Sequence, residues 1–237
     1  MIRFKQVTHQ FPSGLTALDS INFEFQQGEF IFLVGPSGAG KTTLLRLLLR
    51  ELKPTKGQIF FQNENIGELK GKKILHLRRQ IGAVFQDFRL LKDQTIEENV
   101  ALVLEIANKK EEEIKKAVAE ALAVVSLTNK AQMFPAQLSG GEFQRAVIAR
   151  AIVANPDVLF ADEPTGNLDP DTAWQIVNLL QQINQAGKTV IMATHNANIV
   201  DDLKERVIRL DSGKVLSDQE KGRYKKKKET KKSSSNK

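Results

Sequence analysis

The segment from Gly35 to Thr42 reads GPSGAGKT and fits the phosphate-loop pattern G-x-x-x-x-G-K-[ST]. An apolar run, FIFLV, precedes it, and a helix-forming run, TLLRLLLREL, follows it. Glycines let successive backbone N–H groups turn toward an anion, and a helix that begins at the loop adds the positive end of its dipole. The strand–loop–helix order therefore predicts a nucleoside-triphosphate site.

The side chains of this loop indicate separate roles. Lys41 can reach the β- and γ-phosphates as a mobile positive charge, and Thr42 offers a hydroxyl to Mg²⁺. The whole loop and the threonine after it are predicted to bind the nucleotide: Gly35, Pro36, Ser37, Gly38, Ala39, Gly40, Lys41, Thr42 and Thr43.

A second segment with chemical potential, VLFADE, ends in an acid pair. Asp162 closes an apolar strand, where its carboxylate can hold Mg²⁺ beside Thr42. Glu163 follows directly and can polarise an attacking water as a general base. Acid pairs are common on protein surfaces, so it is the position at a strand end, downstream of a phosphate loop, that favours a catalytic role.

A third segment, LSGGE, lies about a hundred residues after the phosphate loop. Ser139 suits a helix N-cap, and Gly140 and Gly141, followed by Glu142, would present backbone N–H groups at the start of a helix. One terminal phosphate does not need two anion-binding loops from the same subunit. The economical interpretation is a dimer in which each nucleotide lies between loops of different subunits.

Hydrophobic periodicity predicts the elements that must position these segments. The N-terminal runs at 2–4 and 21–25 alternate with period 2, as strands do. The apolar runs VLFA and TVIMAT flank the helical pattern TAWQIVNLLQQINQAG, an order that implies an α/β fold with a parallel sheet covered by helices on both faces. The phosphate-loop helix is expected to end near Pro54, and residues from about 88 to 154 are read as an inserted helical subdomain.

The positive charge of the chain is concentrated at its C-terminal end. The 237 residues carry a formal net charge of +7, but the segment from Lys221 onward carries +8, so residues 1–220 are close to neutral. The charge therefore does not predict a nucleic-acid-binding domain. Residues 218–237 are predicted to form a disordered basic tail, either attracted to anionic lipid or merely solvated. The chain has no cysteine, which excludes disulfides and thiolate metal sites.

Taken in order, GPSGAGKTT, LSGGE, VLFADEP and MATHN resemble the ATP-binding cassette (ABC) ATPases over about residues 1–217. LSGGE is the signature sequence of that family. The resemblance implies a RecA-like parallel-sheet core with an N-terminal antiparallel β portion and an inserted helical subdomain. It also implies ATP as the substrate, Mg²⁺ as the cofactor, and a homodimer of ATPase subunits that forms on ATP binding.

The same resemblance implies roles for further residues. Gln86 would be the Q-loop glutamine that senses Mg²⁺ and the attacking water, and His195 would be the switch histidine at the γ-phosphate. Phe11 would stack on adenine where many members have tyrosine, although a place in the core is the alternative. The segment GNLD at 166–169 would lie at the dimer interface. The expected catalytic set is then Glu163, His195 and Gln86, and the expected metal set is Thr42, Gln86 and Asp162.

Longer stretches, above all LRRQIGAVFQDFRLL, are similar to one group of the family, the ATPases of bacterial cell division. This similarity implies an FtsX-like membrane protein as partner, a peripheral location at the cytoplasmic face of the membrane, and control of peptidoglycan hydrolases. The alternative is an ATPase of a lipoprotein-release or macrolide-export transporter, which shares ADEPTGNLD. A nucleic-acid-directed ATPase is disfavoured because the chain has one cassette and no long heptad region, and a non-catalytic scaffold because the expected catalytic residues are intact.

Overall fold

The computed structural model describes residues 1–85, 87 and 90–224, so the predictions for Gln86 and for the tail from residue 225 lie outside the described residues. The strands of the described chain are β1 (Ile2–Gln10), β2 (Thr16–Phe25), β3 (Phe30–Val34), β4 (Lys56–Phe61), β5 (Glu64–Asn65), β6 (Ile81–Val84), β7 (Val158–Asp162), β8 (Thr189–Thr194), β9 (Arg206–Asp211) and β10 (Lys214–Gln219). Its helices are α1 (Lys41–Leu48), α2 (Lys72–Gln80), α3 (Ile96–Ile106), α4 (Glu111–Val124), α5 (Gly140–Ile152), α6 (Pro170–Gln185) and α7 (Ala197–Leu203).

The N-terminal strands form a four-stranded antiparallel sheet in the order β2-β1-β4-β5. Ile2, Phe4 and Val7 of β1 are buried together with Ile21 and other apolar residues of β2, because alternate residues of a strand share one face. The predicted antiparallel portion is therefore confirmed.

The second sheet has six strands in the order β10-β9-β3-β8-β7-β6. The five strands from β9 to β6 run parallel, and β10 pairs antiparallel with β9. All residues of β3, β7 and β8 are buried, as expected for strands covered on both faces. Since these three strands are neighbours, their carboxyl ends meet at one edge of the sheet, where the phosphate loop and the acid pair follow.

Helices α3, α4 and α5 pack on one another beside this sheet, and the described residues between 90 and 154 contain no strand. Helix α3 begins at a capping box in which the Thr95 side chain accepts from the Glu98 N–H and the Glu98 carboxylate accepts from the Thr95 N–H. Buried apolar residues of all three helices belong to the core that covers one face of the parallel sheet. None of the helices in the described ranges is long and apolar enough to cross a bilayer.

Two boundaries differ from those expected. Helix α1 ends at Leu48 rather than near Pro54, because Arg50 takes a left-handed φ of 55° and its guanidinium donates to the carbonyls of Gly67 and Leu69, at 3.0 and 3.2 Å. The ordered chain also continues past residue 217. Strand β10 extends to Gln219, and the Tyr224 N–H donates to Asp201 at 2.7 Å.

Candidate active site

The phosphate loop connects the end of β3 with the start of α1. Gly40 caps the helix in a left-handed conformation with φ 107°. A Cβ at this position would lie 2.6 Å from Leu18 Cδ2 and 2.7 Å from the Ala17 carbonyl oxygen. Two independent reasons therefore require glycine at position 40. Its backbone is left-handed, and β2 lies too close to leave room for a Cβ.

The loop forms one wall of a cleft of about 520 Å³. The structure brings most of the predicted nucleotide site together here. The described residues that line the cleft are Phe11, Leu15, Thr16, Ala17, Ser37, Gly38, Ala39, Gly40, Lys41, Thr42, Thr43, Asp162, Glu163 and His195. Phe11 is partly exposed in this wall rather than enclosed in the core. Sequence reasoning missed Leu15, Thr16 and Ala17. The turn Pro12-Ser13-Gly14 signals them, because it folds the chain back so that the Leu15 carbonyl accepts from the Phe11 N–H at 2.9 Å.

Gly35 and Pro36 do not line the cleft and instead hold Lys41. The Lys41 ammonium donates to the carbonyl oxygens of these two residues, at 2.7 and 3.1 Å, and lies 3.9 Å from Glu163 Oε1. Only 7% of the Lys41 side chain is exposed. A positive charge shielded from water interacts strongly with an anion that enters the cleft, because the local dielectric constant is lower than that of water.

Asp162 and Thr42 bring two side-chain oxygens together at the floor of the cleft. The Thr42 hydroxyl donates to Asp162 Oδ2 at 2.5 Å, and Asp162 is buried at the end of β7. Burial raises the pKa of Asp162, the Glu163 charge adds to this effect, and the Thr42 hydrogen bond and Lys41 oppose it. Among the described residues no three His, Cys, Asp or Glu side chains converge as a metal cage. The pair suits Mg²⁺, which takes few protein oxygens and completes its shell with phosphate and water.

Glu163 lies between Lys41 and His195. Its carboxylate Oε2 is 2.9 Å from His195 Nδ1, and its side chain is 11% exposed, whereas that of His195 is 67% exposed. The backbone of Glu163 is left-handed, with φ 51°, and is held by a hydrogen bond from its N–H to the Ala193 carbonyl. Such strained conformations in non-glycine residues concentrate at functional sites. The arrangement presents a fixed carboxylate to the opening of the cleft.

The LSGGE segment lies at a different place. Ser139 caps α5, because its hydroxyl accepts from the Glu142 N–H while the Glu142 carboxylate accepts from the Ser139 N–H, at 3.3 and 3.0 Å. The hydrogen bond from the Ser139 N–H to the carboxylate is the largest cause that lowers the pKa of Glu142. Gly141 is buried, and a Cβ there would lie 2.5 Å from Thr172 Cγ2. Gly141 is thus needed for the close packing of α5 on α6.

A second cleft, of about 350 Å³, separates this segment from the 166–169 turn. It is lined by Ser139, Gly140, Gly141, Glu142, Arg145, Asn167, Leu168, Asp169, Thr172 and Gln175. Among the described residues the two clefts share no lining residue. The phosphate loop and the signature segment of one chain therefore line two separate clefts.

Comparison with known proteins agrees with this geometry. A protein-family model described as "ABC transporter" matches residues 18–166. "Cell division ATP-binding protein FtsE" of Bacillus subtilis (strain 168) is 51% identical over 224 residues, which cover 94% of this chain and 98% of that protein. The protein of the same name from Escherichia coli (strain K12) is 46% identical, with 90% of this chain and 96% of that protein covered.

Two solved structures have the same architecture. A dimeric ATP-binding cassette in a post-hydrolysis state, bound to ADP and Pi, has a TM-score of 0.84 and 36% identity, covering 94% of this chain and 99% of that chain. A subunit of an ABC transporter complex from Clostridium perfringens has a TM-score of 0.85 and 32% identity, covering 92% and 88%.

The parallel sheet, the phosphate loop and the signature segment define an ATP-binding cassette, and the chain belongs to the ABC transporter family. Within that family it is similar over nearly its whole length to the cell-division ATP-binding proteins named FtsE. It is an ATPase, and ATP is its substrate. The fold class, the activity and the family inferred from the sequence are confirmed.

Proposed function

We propose that this chain is the ATP-hydrolysing subunit of a cell-division complex, that it dimerises when it binds ATP, and that it acts on an FtsX-like membrane protein to regulate peptidoglycan hydrolases. The observation that carries the proposal is the separation of the phosphate-loop cleft from the signature cleft described above. In the proposal each cleft is one half-site, and a nucleotide contacts both kinds of loop between two chains.

The dimer follows from the chemistry of each half-site. The phosphate-loop cleft supplies the positive charge of Lys41 and the backbone N–H groups at the start of α1. The signature cleft supplies Ser139 and the N-terminus of α5, the start of a 13-residue helix. In the proposed dimer, the second cleft of another subunit covers the terminal phosphate that the first cleft holds. The dimeric relative bound to ADP and Pi supports this arrangement.

Within the composite site the residues of this chain have distinct roles. Thr42 and Asp162, with Gln86 by family resemblance, would hold Mg²⁺. When bound, that ion neutralises charge on the phosphate oxygens. Glu163 accepts the proton of the attacking water at its carboxylate, and His195 keeps that carboxylate oriented through the 2.9 Å contact. Lys41 offsets the negative charge that develops on the γ-phosphate.

A groove of about 340 Å³ between the parallel sheet and α3 is the proposed docking surface for the membrane partner. It is lined by Arg78, Arg79, Ile81, Gly82, Ala83, Phe85, Leu102, Val103, Ile106, Arg150, Ala151 and Ala154. Apolar walls beside exposed arginines suit an amphipathic helix with acidic residues. By family resemblance the segment 86–91, which follows Phe85 directly, belongs to the same docking surface. Its residue Phe88 lies outside the described residues, and Leu91 is 43% exposed.

Co-purification with the membrane partner tests the proposed complex. Leu91→Asp and Ile106→Asp are expected to reduce recovery of an FtsX-like protein at least about tenfold while leaving ATPase activity of the free subunit near that of the parent, because both side chains lie outside the nucleotide cleft. Val124→Asp is the matched control, since Val124 on α4 is similarly exposed but lies outside both the groove and the 86–91 segment. Unchanged recovery with both Leu91→Asp and Ile106→Asp would contradict this surface.

The basic tail and the location at the membrane remain proposals from the sequence. Attraction to anionic lipid is tested by liposome co-sedimentation of the full chain and of a truncation after Tyr224, which keeps the contact with Asp201. Binding should fall in the truncation and weaken as salt rises. The lipoprotein-release and macrolide-export alternative is not favoured, because relatives that match nearly the whole chain carry the cell-division name.

A further inference from the structure

A buried histidine lies directly behind the ring that lines the nucleotide cleft. His9, in β1, is only 7% exposed. Its ring meets Phe11 edge-to-face, with centroids 4.8 Å apart and an interplanar angle of 88°. Its Nδ1 is 2.8 Å from the Lys53 carbonyl oxygen, and its Nε2 is buried with no hydrogen-bond partner among the residues that the structure describes. His9 is not part of any motif recognised in the sequence.

The contact with the Lys53 carbonyl determines which ring nitrogen of His9 is the hydrogen-bond donor. A carbonyl oxygen only accepts, so Nδ1 carries the hydrogen of this bond, and Nε2 meets no hydrogen-bonding group in the described part of the chain. A buried polar atom without a partner costs free energy that a phenylalanine of similar shape would not incur. A histidine that only filled space here would therefore be less stabilising than a phenylalanine. The bond to Lys53 is the interaction that a purely apolar side chain could not provide.

The segment that receives this bond comes from the phosphate-loop helix. After α1 the chain passes through Lys53 and Thr55 before β4. The Thr55 N–H donates to the Thr8 carbonyl at 2.7 Å, and the Gln10 N–H donates to Thr55 Oγ1 at 3.0 Å. With the His9 bond, three contacts tie the end of β1 to the chain that leaves α1. These hydrogen bonds link the strand that leads to Phe11 with the helix that begins at the phosphate loop.

We propose that His9 is a positioning residue for the nucleobase: tethered to Lys53, it fixes the ring of Phe11 in the plane on which the base stacks. The inference rests on the proposed function, because it requires the base to lie at Phe11. The turn after Phe11 is closed by its own bonds, from the Phe11 N–H to the Leu15 carbonyl and from the Gly14 N–H to the Phe11 carbonyl, both 2.9 Å. These hold the backbone, so the ring orientation is what His9 adds.

Two substitutions separate the tether from the ring contact. His9→Asn can keep a donor near Nδ1 but removes the ring, and His9→Phe keeps a ring but removes the donor. Calorimetric titration with Mg-ATP and with Mg-tripolyphosphate distinguishes base binding from phosphate binding, because tripolyphosphate has no base. An edge-to-face pair contributes enough to change affinity about three- to tenfold. We expect both variants to lose ATP affinity by this factor with tripolyphosphate affinity unchanged, and KM to rise without a change in kcat.

Two controls make the outcomes distinct. Phe11→Ala should show the same selective loss, and His76→Phe, at an exposed histidine on α2 outside the cleft, should show none. Full ATP affinity in either His9 variant, or equal losses for both ligands, would overturn the positioning role and leave the proposed function intact. If Phe11→Ala itself binds ATP like the parent, the base does not lie at Phe11, and the assignment of the base site fails together with the inference.

Discussion

Glu163 and His195 should behave as a coupled pair in catalysis. Their 2.9 Å contact joins a carboxylate that is nearly enclosed to an imidazole that is mostly exposed. The perturbation is a double-mutant cycle of Glu163→Gln and His195→Ala. If His195 acts partly by orienting Glu163, its removal must cost less once the carboxylate is gone.

The expected magnitudes follow from this geometry. Loss of a general base lowers turnover by about 10²- to 10⁴-fold. A hydrogen bond to a charged group contributes about 1.5–3 kcal/mol, and the exposure of His195 places this contact at the lower end because water screens it. At 1.4 kcal/mol for each factor of ten, His195→Ala should lower turnover about tenfold. In the Glu163→Gln background the same change should lower it no more than about threefold.

Single-turnover phosphate release at saturating Mg-ATP provides the four rates of the cycle. His76→Ala is the control, since this exposed histidine lies outside the cleft and its removal should leave the rate unchanged. Equal factors for His195→Ala in both backgrounds would refute the reasoning, because full additivity would mean that His195 acts on the nucleotide without involving Glu163.

Two further predictions concern the floor and the wall of the cleft. Because burial raises the pKa of Asp162, the folded chain holds the proton more tightly than the unfolded chain, and stability falls as pH rises from the ordinary carboxyl pKa through the raised one. Asp162→Asn, which keeps an acceptor for Thr42, should therefore melt at a higher temperature than the parent at about pH 8 and at nearly the same temperature at about pH 4. The variant should also lose Mg²⁺-dependent ATP binding. A difference in melting temperature that stays constant across pH would contradict the stability prediction. Lys41→Ala should weaken ATP binding at least about tenfold, because a charged donor to the phosphates is lost, and a fluorescent-nucleotide titration with unchanged affinity would count against the assignment.

The local sequence pattern was sufficient to predict those parts of the site that are formed by a single continuous segment. The apolar strand, the glycine-rich loop and the helix after it specify the phosphate site, and β7 with its terminal acid is equally local. The contact between Glu163 and His195 depends on register. Asp162 pairs with Ala193 in the parallel sheet, so the residues after both strands come together. The sequence could place both at strand ends, but it could not give that pairing.

The features that the sequence did not predict depend on distant contacts. Helix α1 stops early because Arg50 finds acceptors in the 67–69 segment, which helix propensity does not include. Gly141 is required by its contact with Thr172 on α6, about thirty residues away in sequence. His9 gave no signal, because a single histidine in an alternating strand pattern is indistinguishable from a surface residue until Lys53 and Phe11 are seen beside it.

The most direct test of the composite site is the mass of the Glu163→Gln variant by light scattering. The variant should bind ATP without hydrolysing it, and with Mg-ATP it should have twice the mass of one chain, whereas with ADP it should be a monomer. Adding Ser139→Arg, which places a bulky charge in the signature cleft, should return the ATP-bound variant to the monomer while ATP binding persists. A Glu163→Gln variant that remains monomeric with saturating Mg-ATP, or a dimer that persists with Ser139→Arg, would contradict a nucleotide site shared between two subunits.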